Sequence, residues 1–233
     1  MPRIPLIEEL TTGQVPVGSN LLVEYDPASQ WYNASLTIAA GWLKSGGSLG
    51  YNLSTQPPEN VRTQLKRLDV DAEELEGNGR LVINDWYTGT LGRKSKEKQA
   101  WDSLKVADIS IDMAKTRMGG PPLPNYLRIA DNFSTLARFN DEKVWVEHAL
   151  SRSFPSAKII QSTQILGIIK GLHGDWAYKN LEAAVDGIVD FKLEEGSDRT
   201  QNYIRIRSIR NVQFDSRWHL LNIGENFEVT LDK

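Results

Sequence analysis

The chain has 233 residues, which suits one domain over residues 1–233, and it carries a formal net charge of −3 at pH 7 and no cysteine. The lack of cysteine excludes disulfides, thiolate catalysis and cysteine-ligated metals, and the slightly acidic balance argues against nucleic acid, whose phosphates favour basic proteins. Because no apolar run approaches the ~20 residues of a membrane span and the N-terminus lacks the apolar core of a signal peptide, we expect a cytoplasmic protein without a membrane partner.

Strand and helix patterns alternate through most of the chain. A short apolar run at Leu21–Glu24 predicts a buried strand. Apolar residues at helical spacing then predict a helix that passes Trp42 and ends near Gly46, where glycine allows a left-handed cap. The same reasoning predicts strands at Ser48–Leu53, Leu81–Ile83, Tyr126–Ala130 and Ala157–Gln161, helices at Glu59–Leu68, Ala107–Met118 and Glu142–Arg152, and a loop at Gly167–Asp175.

The pattern changes after Ala183. Three strand-like segments follow without intervening helices, at Gly187–Leu193, Tyr203–Ile209 and Phe227–Leu231. The alternation of charged and apolar residues shifts at Ser208, which predicts a bulge there. We therefore predict an α/β fold with a mainly parallel sheet, helices on both faces and an antiparallel extension at the C-terminus.

Several segments resemble landmarks of the KaiC-like branch of the RecA superfamily, and they keep the family's order over nearly the whole chain. They are Gly18–Glu24 (the lead-in to the phosphate loop), Ser54–Asn60 (the family's "STEE-P-E"), Leu127–Ser134 (the Walker B strand and the "DS-x-S" that follows), Ala184–Val189 ("ADGII"), and Ser208–Asn211 with Asp215–His219 ("KMRG…RWH"). The resemblance implies a RecA-like P-loop fold and assembly with copies of itself or with related RecA/KaiC-like proteins. It also implies regulatory or signalling roles in prokaryotes, archaea in particular.

The phosphate loop departs most from the family pattern. In the family it reads Gly-x-x-x-x-Gly-Lys-[Ser/Thr]: the glycines let backbone amides approach the phosphates, the lysine pairs with phosphate oxygens and the hydroxyl holds Mg²⁺. The corresponding residues here are Tyr25, Asp26, Pro27, Ala28, Ser29, Gln30, Trp31 and Tyr32, which we call the degenerate loop. Tyr25 and Gln30 replace the glycines, Trp31 the lysine and Tyr32 the hydroxyl residue. With no cation and an acidic Asp26, this loop is predicted not to bind ATP, so no nucleotide cofactor is expected.

The degenerate loop also suggests a different local structure. Asp26 is a good N-cap residue and Pro27 a good first helical residue. We therefore expect the helix to begin near Pro27, with the Asp26 carboxylate occupying the anion site at its N-terminus. Trp31 and Tyr32 are expected to fill the space that a nucleotide would occupy, in preference to forming a new ligand pocket.

Other positions that the family uses for catalysis are also altered. Gln56 stands where the resemblance places a catalytic acid, and an amide cannot accept a proton as a carboxylate does. Asp131 keeps the Walker B position; it is either a relic Mg²⁺ ligand or, as we favour, a cap for the element that follows. Of the "KMR" cations only Arg210 remains, and the resemblance places it at a subunit interface. The histidines follow no metal-ligand pattern, so no catalytic residue and no metal site are assigned.

These residues lead to three functional hypotheses. The first is a pseudo-ATPase, a KaiC-like module that assembles with partners and is not expected to be an enzyme. The second is a divergent ATP-binding enzyme with an unorthodox loop, in which Asp131 holds Mg²⁺; the cation that its loop lacks would have to come from elsewhere, for example from a neighbouring subunit. The third is a nucleic-acid-binding protein similar to RecA/RadA paralogues, but the charged run at residues 93–98 contains Glu97, and Gly167–Asp175 offers only Lys170 and His173 as basic residues.

Overall fold

The strands join in one sheet. The computed structural model describes residues 2–101, 103–110, 125–196 and 199–232. The strands within these ranges are β1 (Asn20–Tyr25), β2 (Ser48–Leu53), β3 (Leu81–Asp85), β4 (Gln99–Ala100), β5 (Tyr126–Ala130), β6 (Thr163–Ile169), β7 (Gly187–Glu195), β8 (Thr200–Ile209), β9 (His219–Ile223) and β10 (Val229–Leu231). Their order across the sheet is β10-β9-β8-β7-β1-β6-β5-β2-β3-β4.

Helices lie on both faces of this sheet. They are α1 (Trp31–Lys44), α2 (Pro58–Arg67), α3 (Ala72–Gly77), α4 (Tyr87–Thr90), α5 (Glu142–His148), α6 (Phe154–Ile159) and α7 (Asp175–Ala184). A 3-10 helix at Phe133–Arg138 follows β5, and a π-helical turn at Ala149–Ser153 joins α5 to α6. None of the described helices is long and apolar enough to cross a membrane.

The direction of the strands confirms the predicted fold class. Strands β7, β1, β6, β5, β2, β3 and β4 are parallel, and β8, β9 and β10 extend the sheet antiparallel from β7. Leu21 and Val23 of β1 belong to the core that contains α1, whereas Leu22 belongs to the core that contains α5, α6 and α7. Burial on both faces explains why β1 has a continuous apolar run.

Two of the predicted elements are wrong. Ala157–Gln161 was expected to form a strand, but α6 ends at Ile159 and the strand is β6, which begins at Thr163. So short an apolar run does not distinguish a strand from a helix. Gly167 was expected to open a loop and instead lies inside β6. A Cβ atom there would lie 2.4 Å from the indole nitrogen of Trp31, so this glycine serves close packing on the strand.

The bulge expected near Ser208 is confirmed. The register between β7 and β8 shifts between Ile188, which faces Ser208, and Val189, which faces Ile206, so Arg207 is the extra residue. The predicted helix at Ala107–Met118 can be followed only in part, because residues 106–110 are helical and the rest lies outside the described residues.

Candidate functional site at the carboxyl edge of the sheet

The degenerate loop joins the end of β1 to the start of α1, at the edge where β5, β6 and β2 also end. This is the edge at which open α/β sheets bind ligands. Asp131 follows β5 and Ser54 follows β2, so the parallel order of the strands brings them to the same edge. The sequence thus places the family's site residues where the fold would use them.

Backbone amides of the degenerate loop already have acceptors inside the chain. The amide of Asp26 donates to the carbonyl oxygen of Phe191 at 3.1 Å, and that of Ser29 donates to the carbonyl oxygen of Asp26 at 2.8 Å. The amide of Gln30 donates to Oδ1 of Asn202 at 3.0 Å. A phosphate-binding loop must direct such amides at its ligand, and here strands β7 and β8 accept two of them.

The expectation of an early helix is wrong. Helix α1 begins at Trp31, with Gln30 at its N-cap position, and not near Pro27. Oδ2 of Asp26 accepts the amide of Leu193 in β7 at 3.2 Å, so this carboxylate does not occupy the anion site of a helix. Both the amide and the carboxylate of Asp26 therefore bond to β7, and these two hydrogen bonds prevail over the capping preference of Asp26.

Trp31 is the best-packed residue of the degenerate loop. Its side chain is 1% exposed, and its Nε1 donates to the carbonyl oxygen of Asp131 at 2.6 Å. Its ring meets Phe191 edge-on, with centroids 5.4 Å apart, and lies 6.0 Å from the ring of Tyr25. The indole therefore fills the space between β6 and the end of β5, as expected for a residue that occupies volume.

The phenol groups of three tyrosines, Tyr25, Tyr32 and Tyr51, belong to or pack against the same core as Trp31, and they contribute no positive charge. Burial, with a smaller contribution from the charge of Asp131, raises the pKa of Tyr32 to about 12 and also raises that of Tyr25. Burial raises the pKa of Tyr51 as well, and the Tyr51 hydroxyl is 2.7 Å from Oγ of Ser35. All three phenols are therefore neutral at physiological pH.

Asp131 is fully engaged with the segment after β2. Its Oδ1 accepts the amide of Ser54 at 3.0 Å and the Ser54 hydroxyl at 3.1 Å, and its Oδ2 accepts the Thr55 hydroxyl at 2.6 Å. Burial raises the pKa of Asp131, and these hydrogen bonds oppose that rise. The expectation that Asp131 caps the element after it is wrong, because its carboxylate reaches across to the neighbouring strand end.

This arrangement does not fit a hydrated Mg²⁺ ion. Mg²⁺ prefers near-octahedral oxygen ligands and keeps several waters, whereas Asp131 is 2% exposed and both of its oxygens accept internal donors. Among the described residues, no group of three or more His, Asp or Glu side chains is placed to hold a metal ion.

Gln56 follows β2 at the carboxyl edge of the sheet, just before α2. Its Oε1 accepts Nδ2 of Asn60, in the first turn of α2, at 2.9 Å. Arg210 follows β8, which is antiparallel, so it lies at the opposite edge of the sheet. Its side chain is 55% exposed, its Nη2 donates to the carbonyl oxygen of Ala183 at 3.0 Å, and its Nη1 is 4.0 Å from Asp186.

A charge cluster beside the loop, with Glu24 and Asp190 buried and Arg207 partly exposed, was not predicted from the sequence. Glu24, at the end of β1, pairs with Arg207 at 2.5 Å, and Arg207 also contacts Glu182 at 2.8 Å and Asp190 at 3.3 Å. Burial and the neighbouring Glu182 raise the pKa of Glu24 to about 7, although Arg207 opposes that rise. The available signal was Glu24 itself, a carboxylate within an apolar strand that would need a buried cation.

Ser134, His173 and Glu142 form a second unpredicted arrangement. Nε2 of His173 lies 2.7 Å from Oγ of Ser134, and its Nδ1 lies 3.5 Å from Glu142. The Ser134 hydroxyl also accepts the amide of Ile169 at 3.0 Å, and Ser134 is buried. The spacing is that of a catalytic triad, but a substrate cannot reach the hydroxyl, so these contacts hold the loop after β6 in place.

Comparison with known proteins agrees with this architecture. The family model described as "ATPase: KaiC" matches residues 52–231. The crystal structure of a KaiC-like protein from the hyperthermophilic archaeon Pyrococcus horikoshii is similar, with a TM-score of 0.74 and 16% identity over 100% of this chain and 97% of that chain. At this identity the similarity concerns the fold alone, and no curated protein sequence matches the chain. Since the family model matches well over half of its residues, the chain belongs to the KaiC ATPase family.

Proposed function

We propose that this protein is a cytoplasmic KaiC-like module that does not bind or hydrolyse ATP and acts in regulation or signalling through protein–protein assembly. The observation that carries the proposal is the buried indole of Trp31. The resemblance places Trp31 where the family has its phosphate-binding lysine, and its indole is buried and hydrogen-bonded to the carbonyl oxygen of Asp131. A triphosphate there would meet an apolar ring and would lack the cation that its charge requires.

The electrostatics of the loop support the same proposal. Asp26 adds a negative charge, and the phenols of Tyr25 and Tyr32 remain neutral. Amides that would bind phosphate already donate to Phe191 and Asn202. Binding ATP would therefore require both the exchange of these hydrogen bonds and the displacement of Trp31 from the core.

The residues at the family's catalytic positions also lack the chemistry that ATP hydrolysis requires. Gln56 cannot serve as a general base, and its amide oxygen is held by Asn60. Both carboxylate oxygens of Asp131 are held by Ser54 and Thr55. No group of this loop is therefore placed to activate water or to neutralise the charge that develops on a transferred phosphoryl group.

Calorimetric titration with ATP-Mg²⁺ and with ADP tests the nucleotide part of the proposal. We expect no saturable heat and no thermal shift at millimolar nucleotide. The quadruple variant Tyr25→Gly, Gln30→Gly, Trp31→Lys, Tyr32→Thr restores the family's four residues, and binding by this variant alone would identify the native residues as the block. Saturable binding by the native protein that changes when Tyr32 is replaced by Ala would overturn the proposal. If the purified protein hydrolyses ATP and the replacement of Tyr32 by Ala leaves the rate unchanged, the activity comes from a contaminating ATPase.

Assembly is the second part of the proposal, and Arg210 is the residue proposed to lie at the subunit interface. An exposed arginine at the edge opposite the degenerate loop can contact only a neighbouring molecule's loop, not its own. We expect Arg210→Glu to weaken self-association, or association with a related RecA/KaiC-like protein, as measured by sedimentation velocity. Lys66→Glu, at an exposed position on α2, gives the matched change of charge. An exclusively monomeric protein that captures no RecA-like partner would contradict this part.

A further inference from the structure

The charged segment at residues 93–98 is more basic on its surface than its composition suggests. Its one acidic residue, Glu97, is turned inward: 16% of its side chain is exposed, and its two carboxylate oxygens accept Arg62 at 2.9 and 2.6 Å. The other charged residues of the segment are exposed and form no ion pair with another described residue; we call them the basic run, and they are Arg93, Lys94, Lys96 and Lys98. Because Glu97 is neutralised inside the chain, it does not offset these four surface cations.

Exposed acidic residues lie next to the basic run. They surround the start of α3, and we call them the acidic run; they are Asp71, Glu73 and Glu74. A cleft of about 510 Å³ is lined by residues of both runs, Glu73 on the one hand and Lys96 and Lys98 on the other, together with strand β3. The strand order ends with β3 and the two-residue strand β4, so this cleft lies at the outer edge of the sheet. The two runs therefore form one surface with opposite charges side by side.

Arg62 of α2 fixes the two runs relative to each other. Its Nε and Nη2 donate to the two carboxylate oxygens of Glu76, each at 2.8 Å, while its Nη1 and Nη2 donate to those of Glu97. Glu76 lies in α3 beside the acidic run, and bidentate pairs of this kind are strong and directional. No ion pair between described residues joins a member of the basic run to a member of the acidic run. The opposite charges are thus held close together without pairing with each other inside the chain.

We propose that this edge is a docking surface for a second copy of the chain, in which the basic run of each copy lies against the acidic run of the other. The inference rests on the proposed assembly of this protein with copies of itself. In a two-fold dimer the same surface is used by both subunits, and a two-fold rotation between adjacent positive and negative patches places each sign opposite the other. A purely anionic partner, such as nucleic acid, would be repelled by the acidic run. The surface lies at the β3–β4 end of the sheet and is separate from Arg210, which follows β8.

Two reversals of charge test this pairing by sedimentation velocity at low ionic strength, where surface charges are least screened. Lys96→Glu with Lys98→Glu makes the surface acidic, and Glu73→Lys with Glu74→Lys makes it basic. Each double variant alone should self-associate about tenfold or more weakly than the native protein, because like charges then face each other. An equimolar mixture of the two double variants should form a heterodimer, because opposite charges face each other again. A variant that fails to fold cannot give this recovery.

A matched control and the Arg210 variant separate this inference from the proposed function. Arg152→Glu with Lys179→Glu makes the same change of charge at exposed positions elsewhere and should leave self-association unchanged. The inference is overturned if the double variants associate as the native protein does, if their mixture stays monomeric, or if the native protein stays monomeric at ~1 mM. In each of these cases the proposed function still stands if Arg210→Glu weakens assembly with copies of the chain or with a related RecA/KaiC-like protein. Binding of single-stranded DNA by a monomeric native protein, lost on reversal of the basic run, would assign that run to nucleic acid and overturn the inference as well.

Discussion

The two faces of the sheet use tryptophan in opposite ways. At the degenerate loop, Trp31 is buried, its Nε1 is bonded to the carbonyl oxygen of Asp131, and no space remains beside Gly167. On the other face, Trp86 is also buried, but its Nε1 has no partner among the described residues and it borders a cavity of about 350 Å³. One tryptophan is therefore packed and hydrogen-bonded at the carboxyl edge of the sheet, whereas the other is buried beside a cavity.

Replacement of Trp31 by Ala should have the largest effect on stability. Truncation of a fully buried tryptophan removes its packing and leaves a cavity, which costs ~3–5 kcal/mol, and the Asp131 carbonyl also loses its donor. Urea unfolding followed by circular dichroism measures the loss. Trp176→Ala is the control, because Trp176 is 42% exposed and its truncation should cost much less. Equal losses would mean that the indole of Trp31 does not fill the site.

Glu24 should give the protein a pH-dependent stability. Its pKa is about 7 in the folded protein against 4.5 for the free side chain, so the folded state retains the proton longer. The contribution of Glu24 to stability should therefore be largest below about pH 4.5, fall as the pH rises to about 7, and then level off. The full difference is at most about 3.5 kcal/mol, at ~1.4 kcal/mol for each pKa unit.

The variant Glu24→Gln isolates that titration. Because the amide does not ionise, the variant should gain stability relative to the native protein as the pH rises from 5 to 8. Glu225→Gln removes one carboxylate at an exposed position and should show no such trend. A constant difference between Glu24→Gln and the native protein across this range would show that Glu24 is not protonated near neutrality.

Features that depend on local sequence patterns could be predicted, whereas contacts between residues far apart in the sequence could not. The mainly parallel α/β fold, the C-terminal antiparallel extension and the bulge beside Arg207 follow from periodicity and from the resemblance, and the structure confirms them. The start of α1 was wrong because the amides of the degenerate loop pair with residues of β7 and β8, such as Asn202, that are far away in sequence. Gly167 was wrongly predicted to begin a loop for the same reason, because the residue packed against it, Trp31, is far away in sequence.

The sequence placed the degenerate loop and Asp131 after strands that end at one edge of the sheet, but it did not give their contacts. The position of Asp131 followed from the motif, whereas its bonds to Ser54 and Thr55 depend on β2 and β5 being neighbours. The pairing of Asn52 with Asn84 was not predicted, because these residues are unremarkable until the strand register places them side by side. Their position within buried strands was the available signal.

Gly167→Ala should test the close packing on β6. The new methyl group would lie 2.4 Å from Nε1 of Trp31 and 2.7 Å from the carbonyl oxygen of Asp131, so we expect a loss of ~1–3 kcal/mol from overpacking. In a Trp31→Phe background the clash with the indole is absent and only the backbone clash remains, so the same change should cost less. Additive losses in the double variant would show that Trp31 does not press on this strand.

The smallest expected effect comes from a matched pair of substitutions, Trp31→Phe and Trp86→Phe. Both exchange a buried indole for a smaller ring, so both lose packing. Within the described part of the chain, only the first also breaks a hydrogen bond and leaves a buried carbonyl oxygen without its donor. Trp31→Phe should therefore cost about 1 kcal/mol more than Trp86→Phe in urea unfolding, the net worth of one hydrogen bond. An equal or larger loss in Trp86→Phe would indicate that its Nε1 already has an acceptor, and that an open donor does not distinguish the cavity from the degenerate loop.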